Sequence, residues 1–179
     1  TPWADHLMLY CSRLADEPVI TALVIVVVVF LAWQRHWRSL MYWVAAVAFG
    51  LFASVALKYG LQIPRPPNQV PGLGPYSFPS GHTLRAVVLF GFLAVIIARS
   101  MRERWRWLPY GLAGLMIILV ALARLYLGVH WLSDILGSIT LGMLWVTILG
   151  LAYYRHTRAE THWLGLSMIS ITIIAGATG

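Results

Sequence analysis

The sequence predicts an all-α fold: an integral membrane bundle of six helices, preceded by a short amphipathic segment, in one domain spanning residues 1–179. Three observations carry that prediction. Hydrophobic residues make up 60% of the chain and charged residues only 11%, where a soluble domain carries about 25% charged residues. The apolar residues gather into long runs, each close to the roughly 17–25 residues that a helix needs to cross about 30 Å of hydrocarbon. The arginines collect in alternate connections between those runs, as in a bundle whose two ends face different compartments.

Residues 1–17 place Trp3, Leu7, Leu9, Tyr10 and Leu14 among polar neighbours, a pattern for a segment lying in the membrane surface. Residues 18–179 hold the six spans. The first, Pro18 to Gln34, contains VITALVIVVVVFLAW. It does not read as a signal peptide, because no small-residue cleavage site closes it and five more runs follow. Ser39 to Leu57 is the second. Thr83 to Ser100 is the third and weakest, interrupted by Arg85 and Arg99, and Trp107 to Ala123, Ile135 to Tyr154 and Trp163 to Gly179 complete the set. The tryptophans at positions 33, 37, 43, 105, 107, 131 and 163 fall near predicted span ends, as an interfacial belt does. Cys11 is the single cysteine, so no internal disulfide forms. The chain starts at Thr1 and stops directly after the sixth run, which fits either an excised domain or a trimmed chain, with fusion to another domain left as an open reading.

A net charge of +7 suggests nucleic acid or acidic partners until its placement is considered. Arg35 and Arg38 lie in the first connection, Arg99, Arg102, Arg104 and Arg106 in the third, Arg155 and Arg158 in the fifth, with His36, His156 and His162 in or beside them. These connections share one end of a six-span bundle, and short Arg-rich loops stay cytoplasmic. The charge is therefore topological, and nucleic acid is not an expected partner. Both termini, the second connection (58–82) and the fourth (124–134) then face the other side.

Polar residues that topology does not explain all fall on that other side. KYGLQIPRPP sets Lys58 and Arg65 at the end of the second span. A loop rich in Pro and Gly follows, then FPSGHTLR opens the third span, and RLYLGVHWLSD, between the fourth and fifth spans, supplies Arg124, His130 and Asp134. Lys58, Arg65 and Arg124 offer cations suited to tetrahedral oxygens, the arginines as forks and the lysine as a point charge. Ser80 occupies an N-cap position, so a helix beginning there aims free N–H groups and its positive dipole end at the same space. Gly81 leaves those amides unobstructed. His130 and Asp134, four residues apart, face the same way on a helix, and a carboxylate on one ring nitrogen fixes the tautomer and frees the other to attack. His82 supplies a second imidazole. One histidine as nucleophile and another as general acid make a complete set for phosphomonoester cleavage, although the residues alone do not say which is which.

Two competing readings use the same residues. His82, His130 and Asp134 are a two-His-one-carboxylate metal set, but three neighbouring cations repel a divalent ion. An anion cradle that only binds or transports phospholipid needs the cations but has no use for a His130–Asp134 pair.

The three stretches together resemble the type 2 phosphatidic acid phosphatases, membrane lipid phosphatases that share their site with vanadium haloperoxidases. Lys58 to Pro66 is similar to the family's K-x6-R-P, Pro79 to His82 to its P-S-G-H, and Ala123 to Asp134 to its S-R-x5-H-x3-D, with Ala123 where the family often has serine. The resemblance covers residues 40–155. It implies His130 as the phosphorylated nucleophile, Asp134 as its orienting group and His82 as the acid. It implies Lys58, Arg65, Ser80, Gly81 and Arg124 as phosphate ligands, with no metal and no cofactor. Arg85, one turn beyond His82, is a candidate headgroup contact. The expected activity is hydrolysis of a lipid phosphate or diphosphate in the bilayer, with transfer of the phosphoryl group to another acceptor as the alternative. The expected location is a bacterial inner membrane, with the site facing the periplasm or outside. Specificity is expected from the Pro/Gly-rich loop, which carries Asn68 and Gln69.

Overall fold

The structure, a computed structural model, describes residues 2–67 and 73–157. These form α1 (Pro2–Arg13), α2 (Glu17–Trp33), α3 (Trp37–Leu61), α4 (Gly81–Ser100), α5 (Trp107–Tyr126) and α6 (Leu132–His156), with one 3₁₀ turn at Glu103–Trp105. Among the described residues the fold is all-helical, and five helical stretches are long and apolar enough to cross a membrane, α1 and α2 counting as one. The sixth predicted span, Trp163 to Gly179, lies outside the described residues, as do Asn68 and Gln69.

The weakest span in the sequence is the centre of the bundle. In α4, 14 of 20 residues are buried, against α3, α5 and α6 on its flanks. A helix surrounded by protein need not present a uniform apolar surface to lipid, which is why α4 tolerates Arg85 in its second turn and Arg99 in its last. Its neighbours pack closely. A Cβ added to Gly142 of α6 would lie 2.6 Å from Val87 Cγ1, the small-residue approach by which membrane helices gain contact without a hydrophobic driving force between them. The outer helices turn bulky apolar groups outward instead, with Phe52, Val55, Ile118, Leu122, Leu144 and Ile148 all exposed.

The helices outrun the apolar runs. Lys58 lies inside α3 rather than beyond it, and α6 begins at Leu132. His130 is therefore not on a helix with Asp134, as the spacing suggested, but in the turn before it. Trp43 is fully buried in the core, not in the interfacial belt, whereas Trp33, Trp37, Trp105, Trp107 and Trp131 are exposed. Residues 2–17 form more than a surface segment. Trp3 and Leu7 are exposed, but α1 packs on α5, the Tyr126 hydroxyl donates to Asp5 Oδ1 at 2.7 Å, and Cys11, Ser12, Leu14 and Ala15 are buried.

The bundle has two chemically distinct ends. At one, Arg38 Nη1 donates to the His156 carbonyl at 2.8 Å, Arg99 donates to the Thr157 carbonyl, and the Arg99 guanidinium lies 4.5 Å from the Tyr154 ring centre. At the other, the end of α3, the start of α4, the end of α5 and the start of α6 meet with the turn between α1 and α2.

Candidate active site

The loop from α3 to α4 folds back on itself. Pro64 and Tyr76 pair as an isolated bridge, Ser77 N–H donates to Ile63 O at 2.8 Å, and the Ser77 hydroxyl reaches Pro64 O at 3.1 Å. Lys58 fastens the return limb from below, its ammonium donating to the carbonyls of Tyr76 (3.1 Å), Ser77 (3.4 Å) and Pro79 (3.0 Å). An ammonium has three donors. Lys58 therefore acts in this structure as a clamp on the loop, and a phosphate oxygen would have to take the place of a carbonyl.

The loop delivers Ser80 to the N-cap of α4, where its hydroxyl accepts from Thr83 N–H at 3.5 Å and from the Thr83 hydroxyl at 3.1 Å. Gly81 opens the helix, and a side chain there would meet Ser54 Oγ at 3.2 Å. Ser138 ties this corner to α6, its hydroxyl lying 3.2 Å from Ser80 O and 2.6 Å from Asp134 O. Phe78 rests over α6 at Gly137, where an added Cβ would fall 2.5 Å from the ring.

His130 is buried, and Nδ1 lies 3.3 Å from Asp134 Oδ2. That oxygen also accepts the Trp131 N–H at 2.9 Å. The fully buried Asp134 thus caps α6 while it holds the ring, and its Oδ1 has no partner among the described residues. A carboxylate only accepts, so Nδ1 carries the proton and Nε2 carries the lone pair. Arg65 Nη1 lies 3.4 Å from that Nε2 and donates to Val129 O at 2.9 Å, while its Nε donates to Gly74 O at 2.6 Å. Burial, then the charges of Arg65, Arg124, Lys58 and His82, push the His130 pKa far below the usual histidine range, so the ring is neutral at physiological pH. Burial also lowers Arg65, with Asp134 opposing, though a guanidinium stays charged.

Arg124 is buried at the end of α5, donating from Nη1 to Ser12 Oγ at 2.9 Å, and its Nε is unpartnered among the described residues. Ala123 beside it is fully buried; the hydroxyl on Arg124 comes from α1 instead. His82 Nε2 lies 3.0 Å from Asp16 Oδ1. Arg85 bends back to donate from Nε to Gly81 O at 3.1 Å. It also lines an apolar cavity of about 280 Å³ between α2, α3 and α4, with Glu17, Ile20, Val24, Val47 and Leu51.

All nine residues singled out in the sequence thus lie at one end of the bundle. Four that contact them were missed: Ser12, Asp16, Ser54 and Ser138. The first two belong to a segment read as interfacial, and serines inside apolar runs give no periodic signal. The acidic pair Asp16–Glu17 before the first span was the one available hint.

Comparisons with known proteins bear on the fold and the family. A crystal structure of a transmembrane PAP2 type phosphatidylglycerolphosphate phosphatase from Bacillus subtilis has the same fold, with a TM-score of 0.78 at 23% identity, covering 89% of this chain and 81% of that one. The phosphatidylglycerophosphatase B of Bacillus subtilis (strain 168) is 27% identical over 150 residues, which is 80% of this chain and 72% of that protein. The lipid phosphate phosphatase delta of Arabidopsis thaliana is 27% identical over 136 residues, 66% of this chain but only 33% of that protein. The sequence pattern of the PAP2 superfamily matches residues 39–160, a stretch that holds Lys58, His82, His130 and Asp134. This chain is an integral membrane protein and belongs to the PAP2 superfamily.

Proposed function

We propose that the protein is a lipid phosphatase that cleaves a phosphate or diphosphate monoester through a phosphohistidine on His130, on the non-cytoplasmic face and without a metal. The observation that carries this reading is the buried His130–Asp134 pair, with Nδ1 held by the carboxylate and an unprotonated Nε2 facing Arg65 Nη1 at 3.4 Å. Nε2 attacks phosphorus, the bond from phosphorus to the lipid oxygen breaks, and His82 gives that oxygen its proton. Water then attacks the phosphohistidine and gives a proton back to His82 as the P–N bond breaks, releasing phosphate and restoring both rings. Arg65, Arg124, Lys58 and the N–H groups opening α4 hold the oxygens whose charge shifts in the transition state. The activities for which the relatives are named support a lipid phosphate substrate. The cavity beside Arg85, lined mostly by apolar side chains, suits the first carbons of an apolar chain.

The test is phosphate release by detergent-purified protein from a panel of lipid phosphates and diphosphates, in EDTA. Release that survives EDTA and falls at least ~10³-fold in His130→Ala is expected, since removing the nucleophile of a catalytic unit costs about that or more. Undiminished release in the variant would refute the assignment of His130, and loss in EDTA would refute metal independence.

A further inference from the structure

Asp16 is the last residue before α2 and stands at its N-cap with extended backbone (φ −68°, ψ 154°), yet its side chain makes no cap hydrogen bond. Aspartate at that position ordinarily accepts from the second or third N–H of the helix it begins. Here the carboxylate turns away, and Oδ1 meets His82 Nε2 at 3.0 Å. The two side chains belong to segments 66 residues apart, so the contact is made by the fold and not by local sequence. The same segment docks a second time, four residues earlier in the last turn of α1, where Ser12 Oγ accepts from Arg124 Nη1 at 2.9 Å.

We propose that Asp16 is the positioning residue of the leaving-group acid, the counterpart for His82 of what Asp134 is for His130. The proposal rests on the phosphatase reading. Because a carboxylate only accepts, the Asp16 contact requires a proton on His82 Nε2. Nδ1 is then the ring nitrogen that hands a proton to the leaving oxygen and later takes one from water. Fixing the ring by Nε2 aims Nδ1, which is the service a carboxylate performs for a catalytic imidazole. Arg124 and Arg85 also act on His82, so an imidazolium there would stand among guanidiniums. Asp16 places a negative charge 3.0 Å from Nε2, which favours the charged ring against them. The α1–α2 turn thereby becomes part of the site rather than a surface anchor.

A structural role and a positioning role differ in how they depend on the leaving group. A lipid alkoxide needs a proton to depart, whereas a nitrophenolate hardly does. The experiment compares kcat/KM, which reports the first irreversible step, for a lipid phosphate and for p-nitrophenyl phosphate in wild type, Asp16→Asn, Asp16→Glu and His82→Ala. Loss of a general acid lowers rates about 10²–10⁴-fold. Asp16→Asn is expected to lose a substantial part of that on the lipid phosphate and at least ~10-fold less on the aryl phosphate. Asp16→Glu is expected to recover part of the loss. Equal losses on both substrates, or no loss on either, would overturn the proposal. A faster Asp16→Asn enzyme would also overturn it, making the contact an obstruction. His82→Ala separates this proposal from the mechanism beneath it: if that variant itself shows no leaving-group dependence, His82 is not the acid, and the underlying mechanism fails first.

Discussion

His130 combines a buried ring, a carboxylate on Nδ1, Arg65 at Nε2 and the nearby charges of Arg124 and Lys58. A histidine whose pKa is lowered stays neutral to more acidic pH, so the attacking lone pair is kept across the range in which an ordinary histidine, near ~6.5, would be losing it. In ¹⁵N-histidine NMR of the free protein, the His130 resonance is expected to remain that of a neutral Nδ1–H ring at about pH 5.5, where an unperturbed ring is mostly charged. A midpoint near the ordinary value would contradict the placement of three cations around a desolvated ring. The motif residues were legible one by one, because each type has a chemistry that lipid does not require. The partners were not. The three carbonyls on Lys58, the contact of Ser12 with Arg124 and that of Asp16 with His82 join segments far apart in sequence, and spacing carries no trace of them.

The elements owe their positions to close approaches that the sequence marks only as glycines in apolar runs. Gly142 admits Val87 of α4, while Gly137 admits the Phe78 ring of the loop that carries Ser80. The two sit on one helix and predict different defects. Gly142→Ala drives a methyl into a side chain locked between α4 and α6, and overpacking of that kind costs about 1–3 kcal/mol, so the melting temperature in detergent should fall. Gly137→Ala meets a half-buried ring at the edge of the site, so activity should fall more than the melting temperature does. Equal effects on both measurements in both variants would contradict this division. The spans α2, α3, α5 and α6 were readable from length and hydropathy. α4 was read as weak because hydropathy assumes lipid on every side, and its own surroundings are protein.

At the scale of the molecule, the bundle separates an arginine-rich end, held by Arg38 and Arg99, from the end that bears the motifs. Both ends were legible in the alternation of the connections. Cysteines introduced as Glu103→Cys and Pro75→Cys in a Cys11→Ser background should differ in intact cells, with a membrane-impermeant maleimide labelling only position 75. Labelling at 103 alone would place the motif end on the cytoplasmic side. The whole mechanism turns on the covalent intermediate, which can be trapped. Purified protein turning over a ³²P-labelled lipid phosphate in EDTA is quenched without acid, and the label is then mapped along the chain. Acid-labile, base-stable phosphate on His130, absent from His130→Ala, is the expected result. Turnover with no label on the protein, or with label on another residue, would contradict it.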